Sequence, residues 1–423
     1  MTRPARKMKP SGIPWIGDVP ADWESRRFRR AGRFVKGKLP SNDNSNAEGL
    51  PIIGASEMNG KPPRTFTTDS SCPQCEKDDV LILWDGANAG FVAQGFAGTL
   101  SSTVVKYRCE IPETCPRYVF YLLKYFETYF RNKVNGTTIP HMNPAFIDDC
   151  ALLLPPTETQ KKIAEFLDEK CAEIDALIAV EEKMIAELKS YKQSVITEAV
   201  TRGVPAAANA ARPLKDSGIP WLGSVPAHWE IRKIKSLGLL QGGNGFPEEF
   251  QGCFNEVIPF IKVKSLSENP IVVNGKDTIS ETTRAKLKAI IIPKNSIVFA
   301  KVGAALLLHR FRKLEFSTCI DNNMMAFIPS VQILPDFFVY AASLLDFSLF
   351  VNPGTVPSVN QEQVGNISVP CPDIKAQQKI VDFLDLKAQK IDSMISLKQE
   401  KFTSLQNYKR SIIFEYVTGK KEV

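Results

Sequence analysis

Two stretches of the chain alternate apolar and polar residues in heptads and contain no helix breaker. Thr157 to Arg202 and Asp373 to Thr418, 46 residues each, hold neither Gly nor Pro, although the chain has 25 Gly and 29 Pro. Either residue is costly inside a helix, so two long uninterrupted helices are predicted. Pro155 and Pro156 precede the first, and Gly203 follows it as a C-terminal cap. In the first helix one register reads Ile163, Lys170, Leu177, Met184, Tyr191, and the interleaved one reads Leu167, Ile174, Glu181, Leu188, Val195. The second helix repeats this as Ile380, Lys387, Met394, Lys401, Tyr408 with Leu384, Ile391, Lys398, Leu405, Ile412. A narrow stripe of this period is a coiled-coil seam. If the helices run antiparallel and meet near their middles, Glu181 falls beside Lys398 or Lys401, and such a polar layer fixes register and orientation.

Outside the helices the pattern changes to short β-like runs punctuated by Gly, Pro and Asn. Examples are Asp79 to Trp84, Ser102 to Cys109, Glu256 to Lys264 and Asn295 to Gly303. Between them lie helical candidates, Tyr118 to Asn132 and Pro335 to Phe350, whose aromatic stripes read as core rather than as base-stacking surface. The mixture is α+β.

The chain also repeats itself. SGIPWIGDVPADWE (Ser11 to Glu24) recurs as SGIPWLGSVPAHWE (Ser217 to Glu230), identical at 11 of 14 positions and 206 residues apart. The helix entrance from Gln160 recurs from Gln377, TTIPHMN (Thr137 to Asn143) is echoed by GTVPSVN (Gly354 to Asn360), and Gly86 aligns with Gly303, all at a spacing of 217. The first loop holds one residue more than the second between its Gly and Pro. Repeats of this kind define the architecture. The expected organisation is a first head at 1–155, a helix at 156–202, a linker and second head at 203–372, and a helix at 373–423. The fold class is two mixed α/β heads separated by two long helices that form an antiparallel coiled coil, a pseudo-two-fold internal repeat. The two ends of each copy align well and the middles barely do, so the middles are expected to act differently.

Charge sharpens this division. The net charge is +7 overall, yet 20 basic face 16 acidic residues in 1–155 and 16 face 13 in 203–372, against 7 and 10 in 156–202 and 10 and 7 in 373–423. Both heads are basic, which suits an anionic partner, and the helical blocks are opposed. Phosphate binding favours Lys/Arg clusters, and Asn, Gln, Ser and Arg on polar loops suit base edges. The candidates in the first head are Arg27, Arg30, Lys36, Lys38, Asn42, Asn44, Trp84, Asn88, Thr138, His141 and Asn143. In the second they are Gln241, Asn244, Lys262, Lys264, Lys301, Arg310, Arg312, Thr355, Ser358 and Asn360.

Catalytic signatures are scarce. No GxxxxGK[ST] loop and no (D/N)PP(Y/F) tetrapeptide occurs, and there are three His residues. Cys72, Cys75, Cys109 and Cys115 are spaced loosely for a thiolate zinc site that the second copy lacks, so no metal is assigned. Nine scattered cysteines and no apolar N-terminal segment point to a reducing cytoplasm, and no apolar stretch suits a membrane span.

With the repeated SGIPW…W opening, the GT-x-x-P-x-x-N-like loop and the PP-x3-Q-x2-I-x2-FLD-x-K-x3-ID helix entrance in place, the chain resembles the specificity subunits of type I restriction–modification systems over nearly its whole length. The resemblance implies a non-catalytic subunit that binds double-stranded DNA. Its two target-recognition heads each read half of a split sequence, and its helices set the spacer. It also implies two modification subunits docked on the helices, bringing S-adenosylmethionine for adenine methylation. Restriction subunits with ATP and Mg2+ complete the complex, and this chain carries no cofactor. The rival reading is a coiled-coil adaptor that holds two protein partners without reading DNA.

Overall fold

The computed structural model describes every residue except 1–5, 14–15, 133–140, 143–149, 205–212, 220, 267–270, 273–276 and 348–355, with the backbone alone at 271–272. The chain divides into two compact units, Met1–Lys183 with Lys398–Val423, and Met184–Leu397. The long helices run Thr157–Arg202 and Ile374–Val417. Each unit therefore holds a head, the start of the helix that leaves that head, and the end of the other helix.

In the first head an antiparallel sheet is ordered Gly32–Lys36, Val104–Cys109, Val80–Leu83, Val92–Gln94. Successive strand side chains point to opposite faces. Val80 and Ile82 accordingly join the core with helix Pro116–Asn132, while Leu81 and Leu83 join a second cluster with Ile53, Met58 and Leu100. The helix buries Tyr118, Tyr121, Phe126 and Phe130, so its aromatic stripe is core. A smaller sheet is ordered Phe66–Thr67, Leu50–Ile53, Gly98–Leu100, Gln74–Cys75, with Thr99 parallel to Ile52.

The second head has a larger sheet ordered Gly238–Gly242, Met324–Pro329, Ile297–Ala300, Arg312–Leu314, Ile271–Val272. Its smaller sheet is ordered Asp277–Ile279, Ile258–Ile261, Cys319–Ile320, with Phe260 parallel to Cys319. The first three strands of both larger sheets follow one order, and both smaller sheets contain a parallel pair. The middles that barely align in sequence thus share a core frame, while their remaining strands and their loops differ.

The repeated opening forms a hairpin in each copy, Met8–Pro10 with Asp18–Pro20 and Leu214–Asp216 with Ser224–Pro226. It covers the end of an incoming helix. Ile16, Val19 and Trp23 pack in one core with Ile412, Ile413 and Val417, and Leu222, Val225 and Trp229 pack with Ile196, Ala199 and Val200. The fit in the first copy is close: a Cβ added to Gly419 would lie 2.5 Å from the Pro20 ring.

Within each unit the helix segments run antiparallel. In the first unit Lys409 Nζ donates to Asp175 at 2.7 Å, and Glu181 meets Lys398 at 3.1 Å and Lys401 at 2.7 Å. In the second unit Lys192 Nζ donates to Asp392 at 2.7 Å. One expected register lines the seam: Leu167, Ile174 and Glu181 are buried with Leu188 half-buried, and Leu384 and Ile391 are buried with Lys398 and Leu405 half-buried. The other expected register holds at its first members, Ile163 and Ile380, which are buried, and is corrected by one residue beyond them. Leu177, Met184, Tyr191, Met394, Lys401 and Tyr408 are exposed, and Cys171, Ile178, Ile185, Ala388, Ile395 and Phe402 are turned inward instead. The physical reason is that positions i+3 and i+4 flank the same seam residue on either side, and at Leu177/Ile178, Met184/Ile185 and Met394/Ile395 both flanks are apolar, so periodicity alone does not choose between them there.

Candidate nucleic-acid interface

In each head, the turn after a central strand meets the loop that precedes the long helix. Asp85 bridges His141 and Val302 bridges Ser358, each pair shifted by the same 217 residues. Beside these bridges the Met142 N–H donates to the Trp84 carbonyl at 2.9 Å, and the Val359 N–H donates to the Lys301 carbonyl at 3.0 Å. The turn needs left-handed backbone at Gly86 (φ +102°) and Gly303 (φ +79°), which glycine adopts without a Cβ penalty. The fold therefore gathers Lys36, Trp84 and His141 at one end of the first head. It gathers Lys301, Ser358 and Asn360 in the second, beside Gln241 on the strand end.

The two clusters differ in charge. Asp85 accepts from His141 Nδ1 at 2.7 Å and from Lys36 Nζ at 3.0 Å. Burial pushes its carboxyl up, but the bonds from His141 and Lys36 outweigh this and hold it below the usual carboxylate range. Val302 occupies the equivalent place in the second head. Lys301 and Ser358 stand there without an acid at the Asp85 position. Cations and hydrogen-bonding groups on paired loops can hold phosphates and reach base edges.

The model of the type I restriction modification DNA specificity domain matches residues 20–190 and again 226–403. The chain belongs to this family. The MjaVIII specificity subunit of Methanocaldococcus jannaschii is 26% identical over 415 residues, covering 95% of this chain and 93% of that one. The EcoBI specificity subunit of Escherichia coli is 21% identical over 356 residues, covering 81% and 73%. A solved chain from a type I R–M system has the same fold, with a TM-score of 0.68 at 14% identity over 95% of this chain and 99% of that one. The chain is thus a specificity subunit for DNA target recognition, and the reading as an adaptor that ignores DNA is not favoured.

The remaining candidates of this specificity subunit are dispersed. Thr138, Asn143 and Thr355 lie outside the described residues. The Arg-rich run is divided by strand Gly32–Lys36: Lys36 joins the loop cluster, whereas Arg27, opposite Ala151, and Arg30 are exposed at the other end, towards the long helix. Within that run Arg26 pairs with Glu24 at 2.9 Å and Arg33 with Glu110 at 2.7 Å. Lys38, Asn88 and Lys264 are exposed. Several polar candidates are committed to bonds within their own head. Asn42 accepts from Thr67, Asn44 donates to the Glu48 carbonyl, and Asn244 donates to the Lys288 carbonyl. Asn360 caps helix Gln361–Asn366, and Gln241 donates to the Gly242 carbonyl. Lys262 pairs with Asp277 at 2.6 Å. Arg310 donates to the Leu266 carbonyl and Arg312 to that of Phe311. Among the described residues no group of three His, Cys, Asp or Glu side chains is placed to hold a metal. Cys75 belongs to the smaller core cluster, and Cys109 and Cys115 pack against the larger one. No helix among the described residues is long and apolar enough to cross a membrane.

Sequence reasoning missed the latch between head and helix. Gln160 Nε2 donates to the Pro155 carbonyl while its Oε1 accepts from the Cys115 N–H at 2.9 Å. Gln377 does the same with the Pro372 carbonyl and the Leu334 N–H at 2.8 Å. Two turns on, Asp168 accepts from the Tyr121 hydroxyl at 2.7 Å and Asp385 from that of Tyr340 at 2.6 Å. The signal was available: a Gln and an Asp kept at the same two places in both copies, beside apolar positions.

Proposed function

We propose that each head reads one half of a split double-stranded DNA sequence. The paired helices set the distance between the halves, and their outward faces carry two modification subunits. The observation that carries this reading is the loop cluster built twice on one frame with different side chains: Lys36, Trp84, Asp85 and His141 in one head, Lys301, Val302 and Ser358 in the other. A shared frame with exchanged chemistry suits two readers of different half-sites. Exposed Lys and Arg supply phosphate contacts, whose counterion release makes affinity fall with salt. Polar loop groups supply base discrimination.

The misassigned helix register supports the docking role. Leu177 and Val180 are half-exposed, and their repeat equivalents Met394 and Leu397 are half-exposed or more, as are Tyr191 and Tyr408. Apolar stripes left outside a coiled coil suit partner surfaces. On this reading S-adenosylmethionine, ATP and Mg2+ belong to modification and restriction subunits, this chain is non-catalytic, and the complex works in the cytoplasm. The test is paired. Binding of the full complex to its target duplex should weaken steeply between about 50 and 200 mM salt. Val180→Asp with Leu397→Asp should abolish co-purification of the modification subunit without lowering the melting temperature. Salt-insensitive binding or undiminished co-purification contradicts the corresponding part.

A further inference from the structure

The Asp85 cluster carries chemistry that its counterpart in the second head lacks. Three groups from separate segments converge there: Lys36 at the end of a strand, Asp85 in the turn after another, and His141 on the loop ahead of the helix. The Asp85 side chain is 17% exposed, whereas Lys36 is 49% and His141 57% exposed. The acid lies beneath and the imidazole lies outermost.

An ionised carboxylate only accepts hydrogen bonds. Its oxygen 2.7 Å from His141 Nδ1 therefore requires the proton on that nitrogen. In its neutral form the ring then has a bare Nε2 on the side away from Asp85, because the partner of one ring nitrogen sets the state of the other. Lys36 occupies the second carboxylate oxygen and offsets its charge, so the acid does not repel a phosphate backbone. A neutral imidazole with an outward lone pair cannot bind a phosphate oxygen, which offers no donor. It can bind an amino group. In the major groove the base-edge amino groups are adenine N6 and cytosine N4.

We infer that His141 is a specificity-determining residue of the first head, accepting a hydrogen bond from an exocyclic amino group, adenine N6 or cytosine N4, with Asp85 as its positioning residue. The inference rests on the reading of each head as a half-site reader. It applies to one half only, because Val302 and Ser358 hold the equivalent places in the second head.

The test is to map methylated sequences in cells expressing the full chain with its modification subunit. His141→Ala should make one base pair of one half-site degenerate, with about a tenfold loss of discrimination at that pair. An A·T pair at that position in the unsubstituted protein assigns adenine N6 as the donor, and a G·C pair assigns cytosine N4. Asp85→Asn gives a sharper readout. Lys36, a donor, claims the amide oxygen, so the amide N–H faces His141 Nδ1 and drives the ring proton to Nε2. The acceptor becomes a donor, and preference at the same pair should move towards guanine or thymine. A merely structural role for Asp85 would weaken all positions of that half together. Unchanged motifs in His141→Ala, or a uniform loss in Asp85→Asn, overturn the inference while leaving the half-site reading intact. A continuous, undivided motif in the unsubstituted protein overturns both.

Discussion

Gln160 and Gln377 show how a single side chain ties a head to its helix. Both are buried, and each bonds a backbone carbonyl five residues earlier and the N–H ahead of a head helix. Removing the amide strands those groups without water, at a cost of roughly 1–3 kcal/mol each. With two groups stranded, Gln160→Ala is therefore expected to lower stability by roughly 2–6 kcal/mol in chemical denaturation, and Gln377→Ala by a similar amount. At this scale the sequence was only partly legible. It exposed the repeated Gln and Asp positions, but a polar residue in a motif does not announce whether it faces a partner or its own backbone. Asn44 and Asn360 were read as base-edge candidates because Asn suits both tasks, and the structure spends their side chains on a turn and a cap.

At the scale of elements the long helices were the most legible part, because 46 residues without Gly or Pro admit few alternatives. The polar layer was legible too: Glu181, Lys398 and Lys401 come together. The flank of the seam was not, since Leu177 and Ile178 offer equal apolar surface one residue apart. Glu181→Lys should disrupt helix pairing and lower the melting temperature, and adding Lys398→Glu with Lys401→Glu should restore it. The bond from Lys401 holds the Glu181 carboxyl below its ordinary range, against the opposing effect of burial, and Lys398 adds to it. A depressed carboxyl pKa stabilises the fold above the unfolded value of about 4.3, and the contribution disappears as pH falls through the folded value. The melting-temperature gap between the unsubstituted chain and Glu181→Gln should therefore shrink below about pH 4. A gap that widens on acidification contradicts the assignment. The sheets of the heads were legible only as α+β strands. Their shared order rests on pairings between distant segments, such as Phe260 with Cys319, that no local pattern reveals.

For the whole molecule, the internal repeat sets the plan: two heads of one frame, and two helices that each start with one head and end with the other. If the helices are the spacer, removing one heptad from each shortens the rod by about 10 Å, roughly three base pairs, with little rotation of the seam. The methylated motif should keep both half-sites and lose about three base pairs between them, and an unchanged spacer refutes the ruler. The central claim is that the heads read separately, and its most direct measurement is a head exchange. Residues 25–140 are replaced by the corresponding segment of another family member, and methylated sequences are mapped in cells expressing the chimera with the modification subunit. The account predicts that one half-site changes to that of the donor while the other half-site is retained. Change in both halves, or in neither, contradicts it.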